Sequence, residues 1–255
     1  MTKKRAATIL LFLFLLLLGT MFLIPVVLTV LGSFTKDGAF TLGNYKELLF
    51  DCFPFYRMFW NSVLYAFSVT AGALLISIPA AFALKFARFP GKRLVYLLYL
   101  ILMMMPLQVM LLPNYIGLRG MKLLNTPFAI ILPLFFSPLA VVILYQYLRE
   151  CDVQVVDAAR LETNSVLRVM INCILPQIRV CLFAVGLLIF SETWNLVEQP
   201  LLYLDEEKWK NLSLLFSEAE RYDGEILLPA AVVFMIPVFL WYLLFHKELR
   251  EGLKL

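Results

Sequence analysis

Val153-Gln154-Val155-Val156-Asp157-Ala158-Ala159-Arg160-Leu161-Glu162-Thr163-Asn164-Ser165-Val166-Leu167-Arg168-Val169-Met170-Ile171-Asn172-Cys173-Ile174-Leu175-Pro176 forms the core of the one extended amphipathic stretch, Arg149 to Arg179, in a chain otherwise dominated by long apolar runs. Val153, Val156 and Ala159 or Arg160 share one side of a first short helix. Val166, Leu167, Met170, Ile171, Ile174 and Leu175 recur at helical spacing in a second. Between them, Glu162-Thr163-Asn164-Ser165 suits capping and turning, because the Thr, Asn and Ser side chains bond backbone N–H groups. The pattern predicts a helix-turn-helix lying at a membrane face.

The runs on either side define that membrane. The chain has 255 residues, of which 62% are hydrophobic and only 16% charged, with a mean hydropathy of +0.86. Soluble domains carry about 25% charged residues, so an ordinary cytoplasmic enzyme is excluded. A bilayer core about 30 Å thick needs roughly 20 helical residues. Five runs free of Asp, Glu, Lys and Arg meet this: 6–34, 59–84, 94–118, 123–148 and 226–245. A sixth, 180–204, is interrupted by Glu192 and Glu198. The expected fold is therefore an all-α polytopic membrane protein of one domain, 1–255. It has six transmembrane helices and a loop, 149–179, between spans four and five.

Lys3, Lys4 and Arg5 precede the first run as they would a signal peptide, but the run exceeds the roughly 7–15 apolar residues of such a segment and is read as a retained helix. The basic residues orient the chain. With the N-terminus inside, the inner side holds Lys3, Lys4, Arg5, Lys85, Arg88, Lys92, Arg93, Arg149, Arg160, Arg168, Arg179, Lys247, Arg250 and Lys254. The outer side holds only Lys36, Lys46, Arg57, Arg119, Lys122, Lys208, Lys210 and Arg221. Both termini and the amphipathic loop are thus expected in the cytoplasm. Cys52 falls outside, whereas Cys151, Cys173 and Cys181 lie on or near the reducing side, so no disulfide framework is implied. The outer segments 35–58 and 205–225 are too short to be folded binding domains, and capture of a dilute solute would need another protein. The net charge of +4 is too small and dispersed to suggest nucleic acid.

The run Val155-Val156-Asp157-Ala158-Ala159-Arg160-Leu161-Glu162-Thr163, followed by Leu175-Pro176, resembles the EAA loop of permease subunits in binding-protein-dependent ATP-binding-cassette importers. That loop reads Glu-Ala-Ala, then Gly, then Ile-x-Leu-Pro. Here Asp157 stands at the Glu position, Thr163 at the Gly position and Cys173 at the Ile position, with the spacing intact. Further stretches resemble the maltose-type carbohydrate branch of that family: Phe40-Thr41-Leu42-Gly43-Asn44-Tyr45, Asn61-Ser62, Gly117-Leu118, Leu123-Leu124-Asn125-Thr126, Trp194-Asn195 and Arg250-Glu251-Gly252-Leu253. The resemblance implies a permease that forms half of a solute pathway in a bacterial or archaeal cytoplasmic membrane. It implies as partners a second permease subunit, two cytoplasmic ATP-binding-cassette subunits, an extracytoplasmic solute-binding protein and membrane lipid. ATP and Mg would be bound in the partner ATPase, with no cofactor or metal in this chain. The implied solute is polar, a sugar or oligosaccharide.

By the same resemblance, Asp157, Ala158, Ala159, Glu162, Thr163 and Asn164 are the ATPase-coupling residues. Small Ala158 and Ala159 allow close approach, and acidic Asp157 and Glu162 can pair with basic groups. A solvated amphipathic connector is the bland alternative. Glycine commonly supplies a positive φ at a turn, where β-branched Thr163 would be strained. Either Asn164 takes over the turn, or this loop couples more weakly than that of the second permease.

Within span five, Glu192, Asn195 and Gln199 fall at i, i+3 and i+7, and Glu198 lies three residues from Asn195, which predicts one polar stripe on a continuous helix. An acidic side chain near the bilayer centre costs on the order of 3 kcal/mol, so it usually faces a partner or a wet cavity. The four residues either line the translocation pathway or reach interface water and a companion subunit. Pro200 is expected to loosen the helix by leaving the Leu196 carbonyl unbonded. Pro79, Pro106, Pro133, Pro138, Pro229 and Pro237 mark kinks or tolerated prolines, and Gln108 offers one polar contact beside Pro106.

There is no Gly-x-x-x-x-Gly-Lys-Ser/Thr loop to cradle nucleotide phosphates. The single histidine, His246, reads as an interfacial residue, and no catalytic residue is assigned. A transport-inactive scaffold or sensor with the same fold remains an alternative reading. A lipid-modifying enzyme acting through Glu192 and Glu198 is another.

Overall fold

The computed structural model describes residues 2–36, 38–221 and 224–252. Lys254 and Leu253 lie outside the described residues, and the side chains of Lys3, Lys4, Arg5, Val155, Arg221, Lys247 and Arg250 are not described. The chain forms two compact units, one of Met1–Tyr56 with Glu218–Pro237, the other of Arg57–Ser217 with Val238–Leu255.

In the first unit, α1 (Thr2–Ser33) carries an almost wholly exposed apolar surface, as expected of a helix whose solvent is lipid. A short hairpin follows, β1 (Thr35–Lys36) antiparallel to β2 (Ala39–Phe40), then α2 (Gly43–Lys46) and a π-helical turn, Glu47–Asp51. Buried Asn44 donates to the carbonyls of Ser33 (3.2 Å) and Thr35 (3.1 Å), which have left the α1 hydrogen-bond ladder. The Tyr45 hydroxyl lies 2.7 Å from Ser33 Oγ. The Phe40–Tyr45 stretch thus ties off the end of the first span.

The second unit is organised around α3 (Phe53–Phe86), a single helix longer than the expected 59–84 because both ends extend beyond the apolar run. Four helices among the described residues are long and apolar enough to cross a membrane, and two bent pairs add up to two more. Span three, expected as one helix over 94–118, is broken. Its halves, α4 (Lys92–Met104) and α5 (Leu107–Gly120), are bent by 102°. The cause is local: Pro106 pushes Met105 to extended backbone (φ −70°, ψ 127°) and cannot donate to the helix.

Span four begins at Phe128 rather than 123, because Lys122 (φ 58°) and Asn125 (φ 59°) adopt the left-handed conformation in a turn. Asn125 is pinned there, its N–H donating to the Tyr203 carbonyl (2.9 Å) and its side chain pairing with Asp205. Span four is itself interrupted at residues 135–137, between α6 (Phe128–Leu134) and α7 (Pro138–Glu150). Ser137 caps α7 by accepting from Ala140 N–H, with Pro138 at the first helical position.

The helix-turn-helix is present, with differences in detail. α8 (Val153–Glu162) is capped by Asp152, whose Oδ1 accepts from Gln154 N–H at 2.9 Å. After the turn come α9 (Val166–Val169), a π-helical turn (Met170–Ile174) and α10 (Leu175–Gln177). The regular second helix expected from periodicity is thus widened where Pro176 removes a backbone donor. The Gln177 side-chain amide donates to the neighbouring Cys173 carbonyl at 2.8 Å. This arm turns by 85° into α11 (Arg179–Trp194) around fully buried Ile178.

Thr163 is not strained. It is extended (φ −148°, ψ 136°), a conformation suited to a β-branched residue, and its Oγ1 accepts from Ser165 N–H at 3.3 Å. Asn164 does not take up a left-handed turn either. Thr163→Gly should therefore weaken the loop by about 0.5–1 kcal/mol through backbone entropy and the lost side-chain acceptor. Expected uptake is equal to or below wild type, and a gain would show that the turn favours a positive φ.

The continuous span five also gives way. α11 ends at Trp194, residues 195–197 are non-helical, and α12 (Glu198–Tyr203) follows. The single stripe through Glu192, Asn195 and Gln199 is corrected accordingly, since the three stand on two helices and the break between them. Beyond it, α13 (Leu212–Ser217) is largely buried, and α14 (Gly224–Gly252) runs through Pro229 and Pro237 without interruption. Pro79 likewise stays inside α3.

Candidate functional site

Three of these interruptions converge. Met105–Pro106, Phe135–Ser137 and Asn195–Val197 border one cavity of about 590 Å³. Its walls come from α4 and α5 (Met103, Met105, Leu107, Met110), from α6 and α7 (Leu134, Phe136, Ser137, Pro138), and from α11 and α12. Non-helical backbone within a membrane is tolerated only where protein buries it or water reaches it, and breaks that gather on one cavity meet both conditions.

All four residues singled out in span five line this cavity: Glu192 near the end of α11, Asn195 in the break, and Glu198 and Gln199 opening α12. Glu192, Asn195 and Glu198 are exposed, whereas Gln199 is 3% exposed and its Oε1 has no hydrogen-bond partner among the described residues. Gln108, the second residue of α5, donates to both Glu198 oxygens at 3.1 and 3.4 Å. That bond links two helices that both begin at a break.

The segment 205–217 holds the third break in place, a function the sequence pattern did not reveal. Pro200 has no N–H for the Leu196 carbonyl, and buried Asn211 donates to it instead at 2.7 Å. Ser213 Oγ donates to the Trp194 carbonyl at 2.6 Å. The segment is secured in turn by α3. Asn61 donates to the carbonyls of Lys208 and Lys210, both at 2.9 Å, the Tyr65 hydroxyl donates to Trp209 O, and Ser62 Oγ accepts from Leu212 N–H. Asn61-Ser62 had signalled itself only as a resemblance, since hydrogen bonds spanning some 150 positions leave no periodic trace. A stack of Phe190 on Trp194 (5.8 Å) and Trp241 (4.9 Å) steadies the end of α11.

The coupling-loop residues lie elsewhere, on the helix-turn-helix. Val156 and Val169 are buried and anchor it. Asp157, Ala158, Glu162 and Asn164 are exposed, while Ala159 and Thr163 are half-buried. Leu161, which the apolar spacing of α8 passes over, is 91% exposed. Its turn angle takes it off the buried side set by Val156, and that mismatch was the available signal. Cys151, just before α8, has its thiol pushed up by burial and is a poor nucleophile.

Residues 73–249 match the family described as binding-protein-dependent transport system inner membrane component, a stretch that contains the loop and every residue named above as lining the cavity. The chain is 28% identical over 218 residues to the arabinooligosaccharides transport system permease protein AraQ of Halalkalibacterium halodurans, covering 84% of this chain and 77% of that protein. It is 26% identical to AraQ of Bacillus subtilis, covering 94% and 92%. It is 31% identical to the sn-glycerol-3-phosphate transport system permease protein UgpE of Shigella flexneri, over 60% of this chain and 54% of that one. Among solved structures, a bacterial ABC transporter involved in import of the acidic polysaccharide alginate superposes with a TM-score of 0.80 at 19% identity, covering 95% and 96% of the two chains.

Proposed function

We propose, from the premise that this chain belongs to the family of binding-protein-dependent transport system inner membrane components, that its three broken spans enclose its half of a solute path. The chain is a membrane permease of an ABC importer, all-α in fold. The solute is a sugar or oligosaccharide, a reading supported by the AraQ relatives. The single observation that carries the path is the meeting of all three breaks on a cavity that is also lined by Glu192, Asn195, Glu198 and Gln199.

The rest of the machine is supplied by partners. A second permease completes the path, an extracytoplasmic binding protein delivers solute, and two cytoplasmic cassettes bind ATP with Mg and hydrolyse it. The exposed face of α8 docks into a groove of one cassette, with Leu161 as its apolar contact and Asp157 and Glu162 as charged ones. Closure of the cassettes would pull the loop, and with it α7 and α11, to switch access between the two sides. Both termini face the cytoplasm, in keeping with the distribution of Lys and Arg. No observed feature favours the transport-inactive scaffold.

Glu198→Gln keeps the shape of the side chain but weakens the bond from Gln108 and removes a charge from the cavity. In the assembled importer, uptake measured across a panel of arabino-oligosaccharides, maltodextrins and glycerol phosphate should change for at least one transported solute by about tenfold, the equivalent of one charged hydrogen bond. Wild-type uptake across the whole panel would contradict the path.

A further inference from the structure

We infer that this cavity sorts solutes by charge: it admits neutral and cationic groups that donate hydrogen bonds and rejects anionic ones such as phosphorylated or carboxylated sugars. The inference rests on the reading of the cavity as the solute path and adds the chemical class that path accepts.

The polar inventory of the walls is one-sided. Among the described residues no Lys, Arg or His lines the cavity, while two carboxylates, Glu192 and Glu198, do. Some of the side-chain donors in and beside the walls are engaged within the protein. Thr193 Oγ1 donates to the Ile189 carbonyl at 2.8 Å, Asn195 Nδ2 to the Ser191 carbonyl at 2.8 Å, and the Gln108 amide to Glu198. What sets the walls apart is negative charge, carried by the two carboxylates, with the unpartnered Oε1 of Gln199 buried in the same wall. A hydroxyl or ammonium group entering the cavity can donate to those carboxylates. A phosphate or carboxylate brings only further acceptors and a like charge, and in a narrow space with low-dielectric walls like-charge repulsion is little screened. The apolar remainder, chiefly Met103, Met105, Met110 and Phe136, suits the C–H faces of a sugar ring without adding any charge.

Charged thiol reagents test this without knowledge of the natural solute. The four native cysteines are replaced in the full chain, Met110→Cys or Met103→Cys is introduced, and the assembled importer is treated in membranes. Reaction rates are measured with cationic trimethylammonium-ethyl and anionic sulfonatoethyl methanethiosulfonate, with and without ATP. Each rate is normalised to that of the same reagent with a free thiol. The expected result is a preference of about tenfold or more for the cationic reagent, falling to near unity when Glu192→Gln and Glu198→Gln are combined. Equal normalised rates, or an anionic preference, would overturn the charge inference while leaving the path reading intact. A preference that survives the double substitution would overturn the assignment to these two carboxylates. No reaction at either cysteine in either nucleotide state would overturn the path reading itself.

Discussion

Gly72→Leu is expected to abolish most uptake by the assembled importer and to lower the amount of folded chain in the membrane. A Cβ at this position on α3 would stand 2.2 Å from the Phe135 ring, far inside contact distance, and leucine adds three further carbons. Phe135 opens the interruption of span four and is followed directly by Phe136 and Ser137, which line the cavity, so a shift of its backbone is passed to the cavity wall. Overpacking of this kind costs about 1–3 kcal/mol and more where the backbone must shift. Gly117→Ala is the matched control, because nothing lies within 4 Å of a Cβ there. Uptake per inserted chain and the thermal midpoint of the purified complex read the difference. Wild-type behaviour of the Gly72 variant would show that the break in span four is free to move.

Asn211→Leu should be nearly as damaging, for a polar reason. The substitution preserves volume at a site only 1% exposed but removes the donor that satisfies the Leu196 carbonyl. An unpaired buried carbonyl costs about 1–3 kcal/mol, enough to lower the thermal midpoint by roughly 2–4 °C for each kcal/mol lost. The effect on transport should be larger than the effect on stability. The freed carbonyl sits in the break that positions Glu198 and Gln199, and its relaxation displaces both. Unchanged uptake with a lowered midpoint would separate the segment 205–217 from the path and leave it a purely structural clamp.

How much of this was legible beforehand follows from the range of the forces involved. Apolar length is a local property, and it led directly to a membrane protein. The helix-turn-helix and its cap at Ser165 were legible, but its apolar side only in part: Val156 and Ile174 are buried as expected, whereas Val153, Val166, Leu167 and Ile171 are exposed and buried Val169 was passed over. The breaks were harder to see. Pro106, Pro138 and Pro200 stand at interruptions while Pro79, Pro229 and Pro237 lie inside helices, a difference that the local sequence does not show. At Pro200 the freed Leu196 carbonyl is met by Asn211, and only the folded chain brings the two together. The same limit explains why Glu192, Asn195 and Gln199 were read as one stripe on a continuous helix, when they stand on two helices and the break between them. Thr163 shows the converse, a departure from the usual glycine that looked strained in sequence and is relaxed in an extended turn.

The central claim is that this permease works as the membrane half of an ATP-driven importer through the exposed face of α8. Its most direct test is recovery of the tagged chain in mild detergent with identification of everything that accompanies it, beside the Asp157→Ala, Glu162→Ala double variant. Both residues are exposed, so the variant should fold normally. The account predicts that an ATP-binding-cassette protein and a second permease accompany the wild-type chain, and that the cassette is lost from the variant while the second permease stays. Recovery of an intact, folded wild-type chain without any cassette protein would contradict it.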